Sequence, residues 1–323
     1  MSNLLATESK ALQVTAAGAF GAAVTAYLSG LDVRDSTREQ YRRNLAQFGA
    51  WLERTGRDFR GLTRADVVAY KVALQSPAEG EDTPRLSART AGAYLVSVRG
   101  LLAYISAEYG GRDLGKGISN PRTDCKRFVK QHLTAQQCTD LLNYYESRGR
   151  YRDYAIVTLL LRCGLRTIEV TRLNVDSITT RAGKRVLSVW GKGHSTADSY
   201  VILSDKAHEA VRNYLATRGR VSLQSPLFVS SSNRNSGKRL TTRTIRNVVD
   251  EGLRAIGLEG HEYSAHSLRH TTAVALISSG AQLTDVQDVL RHRSVSTSQI
   301  YIESIRETQR IARAVETQLD NLF

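Results

Sequence analysis

Tyr301 closes an ordered series of polar residues whose types suit the chemistry of a phosphodiester. His292 stands nine residues before it. Arg269 and His266 lie twenty-three and twenty-six residues before His292, in Ser264-Ala-His-Ser-Leu-Arg-His270. Further upstream come Lys192 in Gly-Lys-Gly-His and Arg166 in Cys-Gly-Leu-Arg-Thr-Ile-Glu-Val. Planar guanidinium groups bind non-bridging phosphate oxygens bidentately and stabilise the charge that phosphorus gains on becoming pentacoordinate. Lys192, between two glycines, could reach a leaving oxygen and protonate it. Tyr301 could attack phosphorus if neighbouring Arg and His stabilise its anion, because a phenol of pKa about 10 is a poor nucleophile at neutral pH.

Local sequence sharpens some of these candidates. Arg166 follows an apolar helix and Cys163-Gly164-Leu165, which places it at a turn. The next residues start a new helix, whose N-terminus favours phosphate. His266 and Arg269 are three apart and share a face if helical. His266 and His270 have the spacing of a metal-binding helix, but the residues between them are Ser267, Leu268 and Arg269. A zinc helix carries Glu after its first His, and an arginine is unfavourable inside a cation site. No metal is therefore expected, and His270 reads as a packing residue.

The elements that must position this set are mostly helical. Tyr41, Leu45, Phe48 and Leu52 form one apolar face, with Asp35 or Ser36 as the expected N-cap. Thr63 opens another helix, and a long one runs from about Ser87 to Tyr109. Gly110 to Gln131 is rich in glycine and base (Lys126, Arg127, Lys130) and reads as an exposed linker, either simply solvated or a strap around a duplex. Helices are expected again from Thr134, over Tyr151–Arg162, Lys206–Ala216, Thr242–Ile256, Ser267–Ser279 and Leu283–Leu290. Arg185–Trp190 and Tyr200–Leu203 read as a hairpin whose loop carries Lys192. A tail stripe of Ile311, Val315, Leu319 and Phe323 has roughly helical spacing.

Charge points to the partner. The 323 residues hold 45 Lys and Arg against 31 Asp and Glu, for a net +14. Residues 1–115 contribute only +2 of it, and residues 116–323 contribute +12. That excess favours a polyanion, nucleic acid first. It is dispersed rather than gathered into one polybasic block, which argues against a membrane surface. Cys125, Cys138 and Cys163 form no CxxC pair and suggest reduced thiols in a cytosolic protein. Ala11 to Leu28 loosely mimics a signal peptide, yet reads better as an amphipathic helix, and no run is long enough to span a membrane.

The order and spacing of these boxes resemble the tyrosine recombinases, the phage-integrase and Xer- or Cre-like family. Cys-Gly-Leu-Arg166-Thr-Ile-Glu169-Val resembles the first box, Gly-Lys192-Gly the hairpin lysine, and His266-Ser-Leu-Arg269-His the His-x-x-Arg box. Leu290-Arg-His292 to Tyr301 resembles the closing box. The resemblance implies a mainly α (α+β) fold in two domains. Residues 1–110 would be a helical core-binding domain, 111–131 a basic linker, and 132–305 a mostly helical catalytic domain with a small antiparallel sheet. Residues 306–323 would be a C-terminal helix docking in trans. The catalytic residues would be Arg166, Lys192, His266, Arg269, His292 and the nucleophile Tyr301, with Glu169 orienting an active-site histidine.

The implied reaction cleaves and rejoins DNA through a 3′-phosphotyrosyl intermediate and a Holliday junction, without cofactor, metal or ATP. Expected partners are double-stranded DNA with specific recombination sites, a homotetramer in synapsis, and accessory DNA-bending proteins, with no membrane. The expected setting is the cytoplasm and nucleoid of a prokaryote, or a phage or mobile element. The family often has Gly before the second histidine, whereas here Arg291 and Arg293 flank His292, as phosphate contacts or salt bridges. A type IB topoisomerase-like enzyme and a DNA-binding protein without strand transfer are the competing readings.

Overall fold

The computed structural model describes residues 16–77, 86–122, 131–190, 199–260 and 262–291. The chain divides into two compact units, residues 1–124 and 125–323. The described part of the first is helical: α1 (Ala16–Gly30), α2 (Asp35–Arg54), α3 (Arg64–Gln75) and α4 (Ala88–Tyr109). Leu45, Phe48 and Leu52 of α2 are buried together with Leu95, Val98 and Leu101 of α4. Tyr70 of α3 packs its ring on Phe48 and Trp51, with centroids 4.8 and 5.2 Å apart. Thr63 caps α3, and Asp66 returns the bond to the Thr63 amide at 2.9 Å. The N-cap of α2 differs from expectation. Arg34 occupies it without a side-chain capping bond, and Asp35 lies in the first turn, where it pairs with Arg38 at 2.6 Å.

The stretch read as an exposed linker is only partly one. Ile118 is buried in the first core and Leu114 packs against it. The Gly115 amide donates to Asp113 Oδ1 at 2.8 Å and the Ile118 amide to the Gly115 carbonyl at 3.2 Å, which folds this segment back on its own unit. Lys126, Arg127 and Lys130 lie outside the described residues.

In the second unit α5 (Ala135–Glu146), α6 (Tyr151–Arg162) and the short α7 (Thr167–Arg172) precede a sheet of β1 (Ile178–Arg181), β2 (Lys184–Val189) and β3 (Ser199–Ile202). Then come α8 (Asp205–Thr217), α9 (Thr242–Ala255), α10 (Ala265–Ser278) and α11 (Leu283–Leu290). The sheet is antiparallel in the order β1-β2-β3, with Val186 opposite Ile202 and Leu187 opposite Val201. The expected hairpin is β2–β3, and β1 is an addition to it. The tail from Arg306 lies outside the described residues.

α6 is the central helix. Ala155 to Leu160 are buried where it contacts α5, α8, α9 and α10. α9 approaches α5 closely at Gly252, where a Cβ would stand 2.6 Å from Leu141 Cδ1 and 2.7 Å from Tyr145 Cε2. α10 is buried on most of its first two turns, including Ser267, Arg269, His270, Thr271 and Thr272. Its threonines are satisfied in place: Thr272 Oγ1 donates to the Leu161 carbonyl at 2.8 Å, and Thr271 Oγ1 accepts from the Leu133 amide at 2.9 Å. Those bonds fix the helix bearing His266 and Arg269 against α6 and against the segment leading into α5.

Candidate active site

The site begins where α6 ends. Gly164 adopts φ +55°, and a Cβ there would lie 2.5 Å from Leu290 Cδ2. Glycine is thus required both by conformation and by space. The tight turn carries Arg166 to the end of α11. Its amide donates to Glu169 Oε2 at 2.8 Å, and its Nη1 to Glu169 Oε1 at 2.7 Å. The N-terminus of α7, expected to be open to phosphate, is therefore engaged by the chain's own carboxylate.

Arg269 arrives from α10 and is 1% exposed. Its guanidinium donates to the carbonyls of Gly164 and Leu290. Arg166 Nη2 donates to the next carbonyl, that of Arg291, at 3.1 Å. The two arginines thus hold successive carbonyls at the end of α11, and Arg269 also holds that of Gly164. This is the part of the expected set that the fold brings together.

Glu169 is 1% exposed, so it is no surface acid. Besides Arg166 it accepts from Arg291 Nη2 at 2.8 Å. Burial, the largest influence, pushes its carboxyl up. The charge of Arg291, bonds from the Arg166 amide and Arg291 side chain, and the charge of Arg166 together outweigh burial, and the carboxyl titrates below its ordinary range. Its described partners are arginines rather than a histidine.

His266 lies one turn before Arg269 on α10 and is exposed. His270 is buried, with its ring edge-on to His132 at 5.6 Å between centroids. Burial first, then repulsion from His132 and His266, pushes His270 down to about 3, so it stays neutral at physiological pH. Lys192, His292 and Tyr301 lie outside the described residues. Burial also pushes the thiols up, Cys138 to about 11 and Cys163 to about 12, and both are free. Cys125 is outside the described residues.

The sequence pattern of the phage integrase family matches residues 131–307. The chain is 31% identical over 287 residues to tyrosine recombinase XerD of Corynebacterium glutamicum, a match covering 85% of this chain and 91% of that one. The chain belongs to the phage integrase family of tyrosine recombinases. It is a site-specific recombinase by that membership. Against tyrosine recombinase XerC of Caldanaerobacter subterraneus it is 31% identical over 226 residues, 69% of this chain and 60% of that relative. The fold is similar to that of the XerH site-specific recombinase bound to palindromic difH substrate in a post-cleavage complex. That match has a TM-score of 0.69 and 21% identity, over 87% of this chain and 80% of that one. It is also similar to a lambda integrase tetramer bound to a Holliday junction, with a TM-score of 0.64 and 15% identity over 88% and 76% of the two chains.

One residue of this recombinase site is indicated only loosely by its sequence. Arg291 precedes His292 where the family often has glycine, and it read as a phosphate contact or a salt bridge. The structure turns it inward onto Glu169 and Gly164. The signal that could have found it was a large residue where a left-handed turn suits glycine.

Proposed function

We propose that this recombinase cleaves and rejoins DNA at specific duplex sites through a 3′-phosphotyrosyl bond to Tyr301 and a Holliday junction. Tyr301 attacks the phosphorus and the 5′ oxygen leaves with a proton from Lys192. Attack by a partner strand's 5′ hydroxyl reverses the step, so bond energy is conserved and no ATP is consumed. Arg166 and Arg269 meet the scissile phosphate, and His266 and His292 assist by hydrogen bonding and proton transfer. Arg166 keeps an edge toward solvent, its side chain being 33% exposed. The positive charge of these side chains serves the role that a metal ion plays in other phosphoryl transfers.

The observation that carries this reading is the convergence of Arg166 and Arg269 on successive carbonyls at the end of α11. A binding protein without chemistry has no need to bury a guanidinium there. The first unit is proposed as the core-binding domain, and residues 306–323 as a helix that docks in trans to build a tetramer. A mixed groove of about 580 Å³, lined by Tyr200 and Ile202 of β3 and Leu276 of α10 together with Arg162, Asp288 and Arg291, offers such a helix both apolar and charged contacts on this unit. The tetramer on a Holliday junction seen for lambda integrase supports the same assembly here. The enzyme would act in the cytoplasm on a chromosome, plasmid or mobile element, with accessory DNA-bending proteins where its sites require them. Among the described residues no helix is long and apolar enough to cross a membrane.

Tyr301→Phe tests the nucleophile. Duplexes enriched from a random pool by the full chain should form an SDS-stable covalent complex with the native protein and none with the variant. A covalent complex that persists in the variant overturns the assignment. Truncation after Glu303 should retain binding to a single site but lose synapsis. Unimpaired recombination by the truncated chain would remove the trans helix from the scheme.

A further inference from the structure

Among the described residues only Ala182 and Arg291 adopt positive φ without being glycine. Ala182 lies in the β1–β2 turn beside Gly183. Arg291 ends α11 at φ +55°, ψ +49°, a conformation that costs any side chain and suits glycine. A non-glycine residue persists in such a place when its surroundings over-determine it. The surroundings here are specific. Arg291 Nη2 donates to Glu169 Oε2 at 2.8 Å and to the Gly164 carbonyl at 3.1 Å, and Nη1 donates to the Val289 carbonyl at 2.5 Å. The Arg291 carbonyl in turn accepts from Arg166. Its side chain is 8% exposed, so it faces the protein.

Three observations separate this from an ordinary salt bridge. Glu169 is held by two arginines, and losing either leaves a buried carboxylate short of a counter-charge. The Gly164 carbonyl is shared by Arg291 and Arg269, so both depend on one peptide. The backbone of residues 290 and 291 is the platform on which both proposed phosphate-binding arginines rest.

We propose that Arg291 is a positioning residue for strand cleavage: by pairing with Glu169 and gripping Gly164 it holds the left-handed end of α11 that seats Arg166 and Arg269. This rests on the recombinase chemistry proposed above for Tyr301. A direct contact from Arg291 to a DNA phosphate is the rival role, and its inward, buried side chain disfavours it.

The test uses the full chain with four proteins: native, Arg291→Gly, Glu169→Gln and the double variant. Arg291→Lys is the conservative control. Glycine suits the backbone at 291, so Arg291→Gly removes the guanidinium without adding strain. The probe is a duplex enriched from a random pool by the full-length Tyr301→Phe chain, nicked beside the cleavage position to trap the covalent product.

At saturating duplex, Arg291→Gly should slow covalent-complex formation about tenfold or more while duplex Kd stays within about twofold, the pattern of a lost transition-state interaction. The double variant should be no slower than the slower single variant, because both remove one coupled unit. Arg291→Lys should recover part of the rate. Multiplying effects in the double variant would overturn the proposal. So would a Kd weakened about tenfold with unchanged rate at saturation, which would put the guanidinium on DNA. If the native protein makes no covalent complex, the Tyr301 reading fails on its own. Urea unfolding of the same four proteins then decides the pairing without DNA: non-additive losses at 169 and 291 support it, and additive losses overturn it.

Discussion

Around Phe48 the first unit packs rings against aliphatic chains, and its buried Asn44 and Ser97 bond to one another. Asn44 Nδ2 donates to Ser97 Oγ at 2.9 Å. Around Gly164 the second unit buries a carboxylate and a guanidinium and nearly buries a second, each bound to backbone or to its opposite charge. Both arrangements bond most of their buried polar atoms, leaving the Tyr70 hydroxyl and Arg291 Nε without a partner among the described residues, but they fail differently. An apolar core loses transfer energy and leaves a cavity when a side chain is trimmed. A buried ion cluster loses little if all its charge is removed together, and much if one partner is removed alone. Such clusters are poor sources of stability, and they persist where geometry is what the protein needs.

The largest test of this contrast is Glu169→Ala, which strands Arg291 and half-strands Arg166. It should destabilise the second unit by about 3–5 kcal/mol in urea unfolding. A loss below about 1 kcal/mol, the scale of an exposed pair, would show that the cluster is solvated in practice. The same residue predicts a pH dependence. Its folded carboxyl titrates below the unfolded value of about 4.3, so its contribution is complete above about pH 5. That contribution is lost as pH falls through the unfolded value toward the folded one. Glu169→Gln should remove this acid limb from the unfolding of the second unit, and an unchanged limb would assign it to other carboxylates.

Leu95→Ala is the counterpart in the first unit. Leu95 is fully buried, and its truncation should cost about 2–5 kcal/mol with no dependence on pH. A strongly pH-dependent loss would mean that charge matters in this core too. The smallest expected effect is Asn44→Ala, about 1–2 kcal/mol, since Ser97 Oγ retains the Ala93 carbonyl at 3.3 Å. A cost equal to that of Glu169→Ala would erase the distinction between the two kinds of polar burial.

The sequence was most readable where a periodic face and a cap coincide. Thr134 opens α5 as expected, with Gln137 completing the cap, and α11 spans the expected Leu283–Leu290. β1 escaped notice because Ile178-Thr-Thr-Arg181 is short and mostly exposed, so it joins the sheet through β2 without a hydrophobic alternation of its own. Asp35 was misplaced as an N-cap, since the same residue serves equally well in a first turn beside Arg38. Leu114 and Ile118 were hidden among glycines, and only folding back onto the first core made them apolar contacts.

The site divides in the same way. Residue types and spacing by themselves singled out Arg166, His266 and Arg269, because phosphate chemistry demands particular functional groups in a set order, and the family resemblance added Glu169. Which of them bury, and what they grip, was settled by tertiary structure alone. Arg269 turned inward to main-chain carbonyls, Glu169 became the shared counter-ion of two arginines, and Arg291 took up a glycine-like turn to reach it. Local sequence carries a side chain's charge and reach. The low-dielectric surroundings and distant carbonyls that direct them come from residues 21 to 127 positions away, and only the folded chain brings these together.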